Sequence, residues 1–560
     1  MSRSSQAHET FLHLREDAIL QMSALVEMQI QGEQSETPAD LSEQEKRFAK
    51  NKAYSERSLA RTLPPPDPNR PNQYQTRGEL IWGPDELEGY AGGSIVPMFG
   101  EAYAIIDSYR RRVRLPMMPY LLVDRVTELT GQRGVYEPST MTTEYDIPFD
   151  AWYATDGQIP WAVSVESGQC DLLLISYLGI DFQNKGDRVY RLLDCTLTFL
   201  DDMPLEGQTL RYDISINSFA KSGDSLLFFF SYNCFVGDKM VLKMRGGCAG
   251  FFTDEELAGG KGIIHTEREL AAKRALVKSY FPAPLTCKRT TFDRADMVTL
   301  GYGDLAAVFG PQYDPKGLNP SLRLPPEGVL MVDRIVEVDP QGGAWGLGLI
   351  VSEKDLEPDH WYFPCHFKDD EVMAGSLVAE GCSQLLQFYL LYLGMQTETS
   401  DARFQPVRDL GQVVRTRKQI MASSSKLTYR MEITEIGLEP HPYAKANVDI
   451  IYEGIVVVDF KNLGLQLVEK AADDPYAVNS EQFSVDSGQW TVDSGQFAGH
   501  RLPIADYRLP KPVEAFNPRP ALYNDFHIQN FAMGSISACF GPDYAVFEGK
   551  RIPRARRMGI

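Results

Sequence analysis

Two long stretches of the chain repeat the same order of hydrophobic patterns, a helix followed by four strands. Apolar residues recur at helical spacing between positions 377 and 393, with Ser376 as the predicted N-cap and Gly394 at the exit. Alternating runs typical of strands follow at 411–421, 426–435, 444–452 and 455–468. Upstream, the segment 163–179 precedes similar runs at 190–199, 209–218, 225–236 and 239–252. Antiparallel sheets wrapped around one helix place the chain in the α+β class.

The helix of the second stretch carries one polar stripe. Glu380, Gln384 and Gln387 follow each other at i, i+4 and i+7, so they share one face of an otherwise apolar helix. A carboxylate buried alone is costly, so it must be paired or functional. The stripe therefore faces either solvent or a polar site.

Short motifs show that the two stretches are copies of one another. Val123-Asp124-Arg125 in the first copy corresponds to Val332-Asp333-Arg334 in the second, which gives a period of about 210 residues. Such a period is too long for a solenoid and fits duplicated domains. A third copy begins near Phe531-Ala532-Met533-Gly534 and is not complete at Ile560, which indicates a fragment of a longer polypeptide or a terminus that keeps only the start of the copy.

These patterns predict six segments. They are an N-terminal helical and linker segment (1–80), copy one (81–262), a linker (263–292), copy two (293–470), a second linker (471–525) and an incomplete third copy (526–560).

Candidate chemistry lies just before the helix of copy two. His366 stands fourteen residues before Glu380, and a partly desolvated imidazole can take a proton from carbon near neutral pH. The corresponding acid of copy one is Glu166, and the residue fourteen positions before it is Trp152. Aligning the prolines at 148 and 364 instead places Asp150 opposite the histidine. With either register, copy one keeps the acid and has no base.

The segment around the histidine resembles the hot-dog-fold dehydratases of fatty acid synthesis, of the β-hydroxydecanoyl thioester dehydratase type. Their signature is a Cys-His-Phe segment, an Asp, then Val-Met-Pro-Gly and a helix with an acid and a glutamine. Ala374 replaces the proline of that signature, and Glu380 stands where many members have Asp and a related subfamily has Glu. The matching residues are Cys365, His366, Phe367, Asp370, Val372, Met373, Gly375, Glu380 and Gln384.

Residues 80 to 470, with the incomplete third copy, are similar to the dehydratase region of bacterial polyunsaturated fatty acid synthases. The resemblance implies tandem hot-dog folds that pair as a double hot dog, each an antiparallel sheet wrapped around a central helix. It implies substrates carried on the phosphopantetheine of acyl carrier protein domains, no other cofactor, and the remaining synthase domains as partners. It also leaves room for a homodimer.

In the family, each site takes its histidine from one fold and its acid from the other. The resemblance therefore implies a site of His366 and Glu166, with Glu380 of the same copy as the alternative acid. The histidine would remove the α-proton of a 3-hydroxyacyl thioester, and the acid would protonate the leaving hydroxyl. The implied oxyanion and substrate-positioning residues are Gly375, Cys365 and Gln384.

Composition and charge limit the kinds of partner and environment that we expect for this chain. An excess of 76 acidic over 56 basic residues disfavours nucleic acid, and no apolar run reaches the length of a membrane span. Eight cysteines and eight histidines form no zinc signature, so we expect a reducing cytoplasm and no metal. An acidic carrier protein would need a local basic patch on this acidic chain, and the densest cluster in a copy is Arg110, Arg111 and Arg112. The alternative is an arginine turn that contacts solvent or the linker.

Three function classes compete at this point. The first is a dehydratase, with or without double-bond isomerisation. The second is a thioesterase of the same fold, and the third is a catalytically silent binding or structural module, which Trp152 and Ala374 favour. Incubation with a 3-hydroxyacyl thioester would distinguish the three classes, which predict an enoyl product, a free acid or no reaction.

Overall fold

The described part of the computed structural model comprises residues 78–222 and 225–471, with Thr76 and Asp474. These residues belong to one compact unit. The predicted third copy, nearly all of segment 1–80 and nearly all of the linker 471–525 lie outside the described residues.

Antiparallel strands of both copies form one sheet. The strands of copy one are β1 (Arg125–Leu129), β2 (Ser139–Asp146), β3 (Val189–Phe199), β4 (Thr209–Ser222), β5 (Ser225–Val236) and β6 (Lys239–Phe252). The strands of copy two are β7 (Arg334–Asp339), β8 (Leu349–Leu356), β9 (Ala402–Pro406), β10 (Gly411–Thr416), β11 (Ser425–Gly437), β12 (Tyr443–Tyr452) and β13 (Ile455–Glu469).

The strand order repeats in mirror image. It runs β1-β2-β4-β5-β6-β3 through copy one and then β10-β13-β12-β11-β8-β7 through copy two, with β9 added beside β13. The two halves meet where β3 pairs with β10, with Gly411 opposite Thr198 and Arg415 opposite Asp194. The sheet is therefore continuous across the copies, and the predicted α+β double hot dog is confirmed.

Both copies contain helices, most of them short. Those of copy one and the following linker are α1 (Pro84–Gly92), α2 (Val96–Phe99), α3 (Trp161–Glu166), α4 (Asp171–Tyr177), α5 (Asp181–Asn184), α6 (Asp254–Ala258) and α7 (Glu267–Arg274). Those of copy two are α8 (Arg294–Gly301), α9 (Leu305–Phe309), α10 (Tyr362–Cys365) and α11 (Gly375–Tyr392). Turns of 3₁₀-helix lie at Glu101–Ser108, Pro311–Tyr313, Glu327–Val329 and Met395–Glu398. Among the described residues, no helix combines the length and apolar character needed to cross a membrane.

Helix α11 is the core of copy two. Its side chains are buried on every face apart from Gly375 and Gln387, so Glu380 and Gln384 of the polar stripe are buried rather than solvent-facing. The helix begins at Gly375 after Ala374, and Ser376 is not its N-cap. The prediction of that cap was wrong because the Ser376 hydroxyl hydrogen-bonds to a side chain of copy one instead.

The equivalent helix of copy one is interrupted between α3 and α4. Ser167 donates its hydroxyl to the Val163 carbonyl, and the amides of Gly168 and Gln169 bond three residues back, as in a 3₁₀ turn. Gly168 packs so closely on Tyr232 that an added Cβ would lie 2.7 Å from its ring. The ring of Tyr212 would lie 2.9 Å from the same Cβ, so two aromatic side chains of the sheet pack against the chain where copy two has an unbroken helix.

The four strands predicted after each central helix lie close to their predicted ranges, but the other five strands had no clear signal. Strands β1, β2, β7, β8 and β9 carry many polar residues, so they lack clean alternation. In β8, for example, buried Lys354 is paired with buried Asp333 at 3.1 Å. Such pairing depends on tertiary contacts that a local pattern does not contain.

Candidate active site

His366 follows the short helix α10 and is almost fully buried. Its Nδ1 lies 3.1 Å from the carbonyl oxygen of Val372. A carbonyl only accepts, so Nδ1 carries the proton and Nε2 of the neutral ring has a free lone pair. Nε2 lies 3.7 Å from Oε1 of Glu166 in copy one. The local turn therefore selects the tautomer in which the nitrogen that faces the acid acts as a base.

Glu166 ends helix α3 and is held from the other copy. Its Oε2 accepts a hydrogen bond of 2.6 Å from the hydroxyl of Ser376 at the start of α11. The hydroxyl of Tyr120 lies 2.9 Å from the same Ser376 oxygen and belongs to copy one. Because Ser376 uses its proton on the carboxylate, Tyr120 is the donor to Ser376. These two hydrogen bonds hold Oε2 of Glu166 in place, so that Oε1 points towards His366.

Burial sets the protonation states of this pair. It raises the pKa of Glu166 to about 7, against a lowering by the Ser376 hydrogen bond. Burial also lowers the pKa of His366 to about 4, which its bond to the Val372 carbonyl partly offsets. Near neutral pH the site thus holds a neutral base beside a carboxyl group that is protonated in a large fraction of molecules. Two groups with pKa values moved apart in this sense can act as base and acid in one reaction.

A cavity of about 130 Å³ opens at this pair. Its walls come from both copies, with Glu166 and Leu172 on one side and His366 and Val378 on the other. Most of its lining is apolar, as expected of a site for an acyl group. Gly375 also lines the cavity, and a Cβ added there would meet nothing within 4 Å. The amides of a helix's first turn have no partner inside the helix, so the start of α11 can offer an N–H to a substrate oxygen.

A cross-copy ion pair holds the loop that carries His366. Arg191 of β3 donates two hydrogen bonds, of 2.7 and 2.8 Å, to the carboxylate of Asp370. The same guanidinium donates to Gln419. The sequence offered Asp370 as a motif residue, but no local signal linked Arg191 to it, and the same is true of Tyr120.

The pseudo-symmetric position, where Glu380 is the acid, has Trp152 in place of the histidine. Glu380 accepts from the amide of Ala162 at 3.0 Å and from the side chain of Gln384 at 3.1 Å. Burial raises the pKa of Glu380 to about 7. Trp152 packs its ring at 5.1 Å from Trp361. Glu380 is not among the residues that line the His366 cavity, so the alternative pairing within copy two has no geometric support.

Two of the predicted substrate-positioning residues lie elsewhere. Cys365 is buried outside the cavity lining, with its Sγ 3.5 Å from the carbonyl of Tyr362. Gln384 is fully buried, donates to Val329 and accepts from the Met331 amide. It thus orients Glu380 and the chain beside it rather than a substrate at His366.

The predicted basic docking cluster is corrected as well. Arg111 is buried and binds both carboxylate oxygens of Asp254, and Arg112 is buried against backbone carbonyls and the ring of Tyr90. Of the three arginines, only Arg110 is exposed. The prediction of an exposed three-arginine patch was wrong because two of these guanidiniums satisfy internal acceptors. Among the described residues, no group of three or more acidic, histidine or cysteine side chains is arranged to hold a metal ion.

Comparison with known proteins shows which families and structures this chain is similar to. Residues 324–461 match the family described as FabA-like domain. One of the subunits of the polyunsaturated fatty acid synthase of Thraustochytrium sp. is 46% identical over 422 residues, which is 70% of this chain and 28% of that protein. The chain therefore spans less than a third of the length of this relative.

Solved structures with similarity include two polyketide synthase domains. The dehydratase domain from the CurJ module of curacin polyketide synthase is 10% identical with a TM-score of 0.33, covering 61% of this chain and 97% of that one. The corresponding CurK domain is 12% identical with a TM-score of 0.32, and the match covers 62% of this chain and 98% of that one. Residues 324–461 of copy two are thus similar to FabA-like domains, and most of the chain is similar to part of a polyunsaturated fatty acid synthase.

Proposed function

We propose that this chain dehydrates 3-hydroxyacyl thioesters to enoyl thioesters during polyunsaturated fatty acid synthesis. The observation that carries the proposal is the cross-copy pair, in which Nε2 of a neutral His366 faces Oε1 of Glu166 at 3.7 Å inside an apolar cavity. The FabA-like domain and the synthase relative support the same chemistry.

The reaction divides two proton transfers between the two side chains. His366 Nε2 takes the proton from C2, and the electrons of that bond form the C2–C3 double bond. The C3–O bond breaks, and Glu166 gives its proton to the leaving hydroxyl to form water. An N–H at Gly375 stabilises the negative charge that develops on the thioester carbonyl. The products are the enoyl thioester, water, an imidazolium and a carboxylate, and proton return from His366 to Glu166 restores the starting state.

We extend the proposal to the setting of the site. Copy one (81–262) and copy two (293–470) form the catalytic unit, substrate arrives on the phosphopantetheine of an acyl carrier protein, and other synthase domains supply and use it. The two side chains supply both proton transfers, so we propose that no further cofactor takes part. A homodimer and a cytoplasmic location stay predictions.

The test measures the product formed from 3-hydroxyacyl pantetheine thioesters. Conversion to the enoyl thioester, followed by its conjugated absorbance and by mass spectrometry, is the expected result. Release of free acid would instead indicate a thioesterase, and an unchanged substrate would indicate a silent module. A shifted double bond in the product would add isomerase activity.

Matched variants test the residue roles. We expect His366→Ala to lower kcat by about 10²- to 10⁴-fold, as is usual when a general base is removed. Glu166→Gln should have a comparable effect, since the amide cannot donate the acid's proton. Glu380→Gln is the matched control, with the same change outside the cavity, and should act mildly. The reverse ranking of the two glutamate variants would show that the site is built within copy two.

A further inference from the structure

The two central helices begin with very different residues at the same position. Trp161 is the first residue of α3 and Gly375 is the first residue of α11, and each stands five residues before the glutamate of its copy. The hydrogen bonds repeat this correspondence one position later. Ser376 donates to Glu166, and the amide of Ala162 donates to Glu380. Helix starts and acids of the two copies are therefore related by the same pseudo-two-fold arrangement.

Gly375 leaves open space at the start of its helix, whereas Trp161 fills the corresponding position of copy one with an indole. Gly375 lines the His366 cavity and has open space where a Cβ would lie. The indole of Trp161 is buried, and its Nε1–H donates to Oε1 of Gln412 at 3.2 Å. Its ring packs 5.8 Å from Phe460 and 6.4 Å from Phe199. The indole is thus fixed by a hydrogen bond and by packing at the position of copy one that corresponds to Gly375 in copy two.

Trp161 also lines the His366 cavity, whose walls include residues of β3 and β10 on both sides of the seam between the copies. At the polar end, Arg191 contacts Gln419 and the loop that carries His366. At the other end, Leu197 of β3 lies opposite Gln412, the partner of Trp161. Leu197 lies six positions after Arg191, which corresponds to roughly 20 Å of strand.

The distance from the chemistry to the tryptophan is short. Glu166 lies five positions after Trp161 in the same helix, which is a rise of roughly 7.5 Å. The cavity lining at this inner end includes Leu197, Val378 and Val458, all buried and apolar. An acyl chain that enters at the polar end therefore passes the acid and meets the indole after a short apolar stretch.

We propose that Trp161 closes the inner end of the acyl cavity and so limits the chain beyond C3 of the substrate to a few carbons. At the corresponding position near Glu380, which has no base, the indole occupies the space that a substrate would need. One side chain therefore blocks that second position and limits the chain length accepted at the His366 site. This inference rests on the proposed dehydration, because it names the substrates that the same site accepts.

The experiment compares Trp161→Ala with the unchanged full chain on 3-hydroxybutyryl, 3-hydroxyhexanoyl, 3-hydroxyoctanoyl and 3-hydroxydodecanoyl pantetheine thioesters. The readout is the ratio of kcat/KM for the dodecanoyl substrate to that for the butyryl substrate, which cancels a general loss of activity. Removal of the indole should raise this ratio at least about 10-fold, since a single methylene in an apolar pocket changes kcat/KM by about that factor or more.

Two further variants keep the test decisive. Trp161→Phe retains a ring without the Nε1–H donor and should leave the ratio near that of the unchanged chain, whereas Trp161→Leu should raise it less than Trp161→Ala and carries the test if the alanine variant does not fold. Trp345→Ala removes the same side chain from a partly buried position outside the cavity and is the matched control.

The outcomes separate this inference from the proposed function. An unchanged chain that dehydrates these thioesters, together with a ratio unaffected in the folded alanine or leucine variant, would overturn the role of Trp161 and leave the dehydratase proposal standing. An equal rise of the ratio in Trp345→Ala would also overturn it. No dehydration of any thioester by the unchanged chain would overturn the proposed function and the inference together.

Discussion

Removal of the Ser376 hydroxyl tests whether Glu166 acts as the acid, through the pH dependence of the reaction. Dehydration needs Glu166 protonated and His366 neutral, so activity should fall as the pH rises through the pKa of Glu166, about 7, and as it falls through that of His366, about 4. Ser376 donates a hydrogen bond of 2.6 Å to Glu166 and lowers the pKa of that carboxyl group. Ser376→Ala should therefore move the alkaline limb of kcat/KM to higher pH.

The size of the shift follows from the hydrogen bond. A hydrogen bond to a charged group contributes about 1.5–3 kcal/mol, and one pKa unit corresponds to about 1.4 kcal/mol. The donor is buried with its acceptor, so solvent replaces little of this contribution when the hydroxyl is removed. We expect a shift of about 1–2 pH units.

The assay is the pH profile of kcat/KM on one 3-hydroxyacyl pantetheine thioester, and its readout is the position of the alkaline limb rather than the height of the curve. Ser383→Ala removes a buried serine hydroxyl about two helical turns further along α11 and should leave the limb in place. Glu166→Gln should remove the limb from whatever activity remains. An alkaline limb that stays in place or moves to lower pH in Ser376→Ala would refute the assignment of that limb to Glu166.

Two other predictions concern the ion pair at the loop and the stability of the buried acid. Arg191→Ala leaves Asp370 without its bidentate partner, so we expect kcat/KM to fall by about 10²-fold because His366 is displaced. The unfolding free energy, measured by urea titration, should fall by about 3 kcal/mol. If both values stay unchanged, Arg191 does not have this role. The pKa of Glu166 rises on folding from 4.5 to about 7, so this group's contribution to stability is fully present below pH 4.5 and is lost as the pH rises through about 7. The unfolding free energy of Glu166→Gln, relative to the unchanged chain, should therefore increase by up to about 3 kcal/mol between roughly pH 4.5 and pH 8, and an equal difference at both pH values would contradict the raised pKa.

The sequence alone determined the features that depend on local pattern. Helical spacing identified α11, alternation identified most of the strands that follow each central helix, and the repeated order of motifs identified Glu166 as the counterpart of Glu380. These features are readable because the period of a helix or strand and the order of a motif are properties of neighbouring residues. The fold class and the two copies followed from them.

The tertiary structure decided which side chains meet. The cross-copy approach of His366 and Glu166 depends on the pairing of β3 with β10, which joins residues more than two hundred positions apart. Long-range packing within copy one buried Arg111 among internal acceptors, so it is not available to a partner. It also placed Trp161 among the residues that line the cavity. A local pattern fixes the face on which a residue lies, but the partner on that face, and hence its pKa and exposure, is fixed only when distant strands pair.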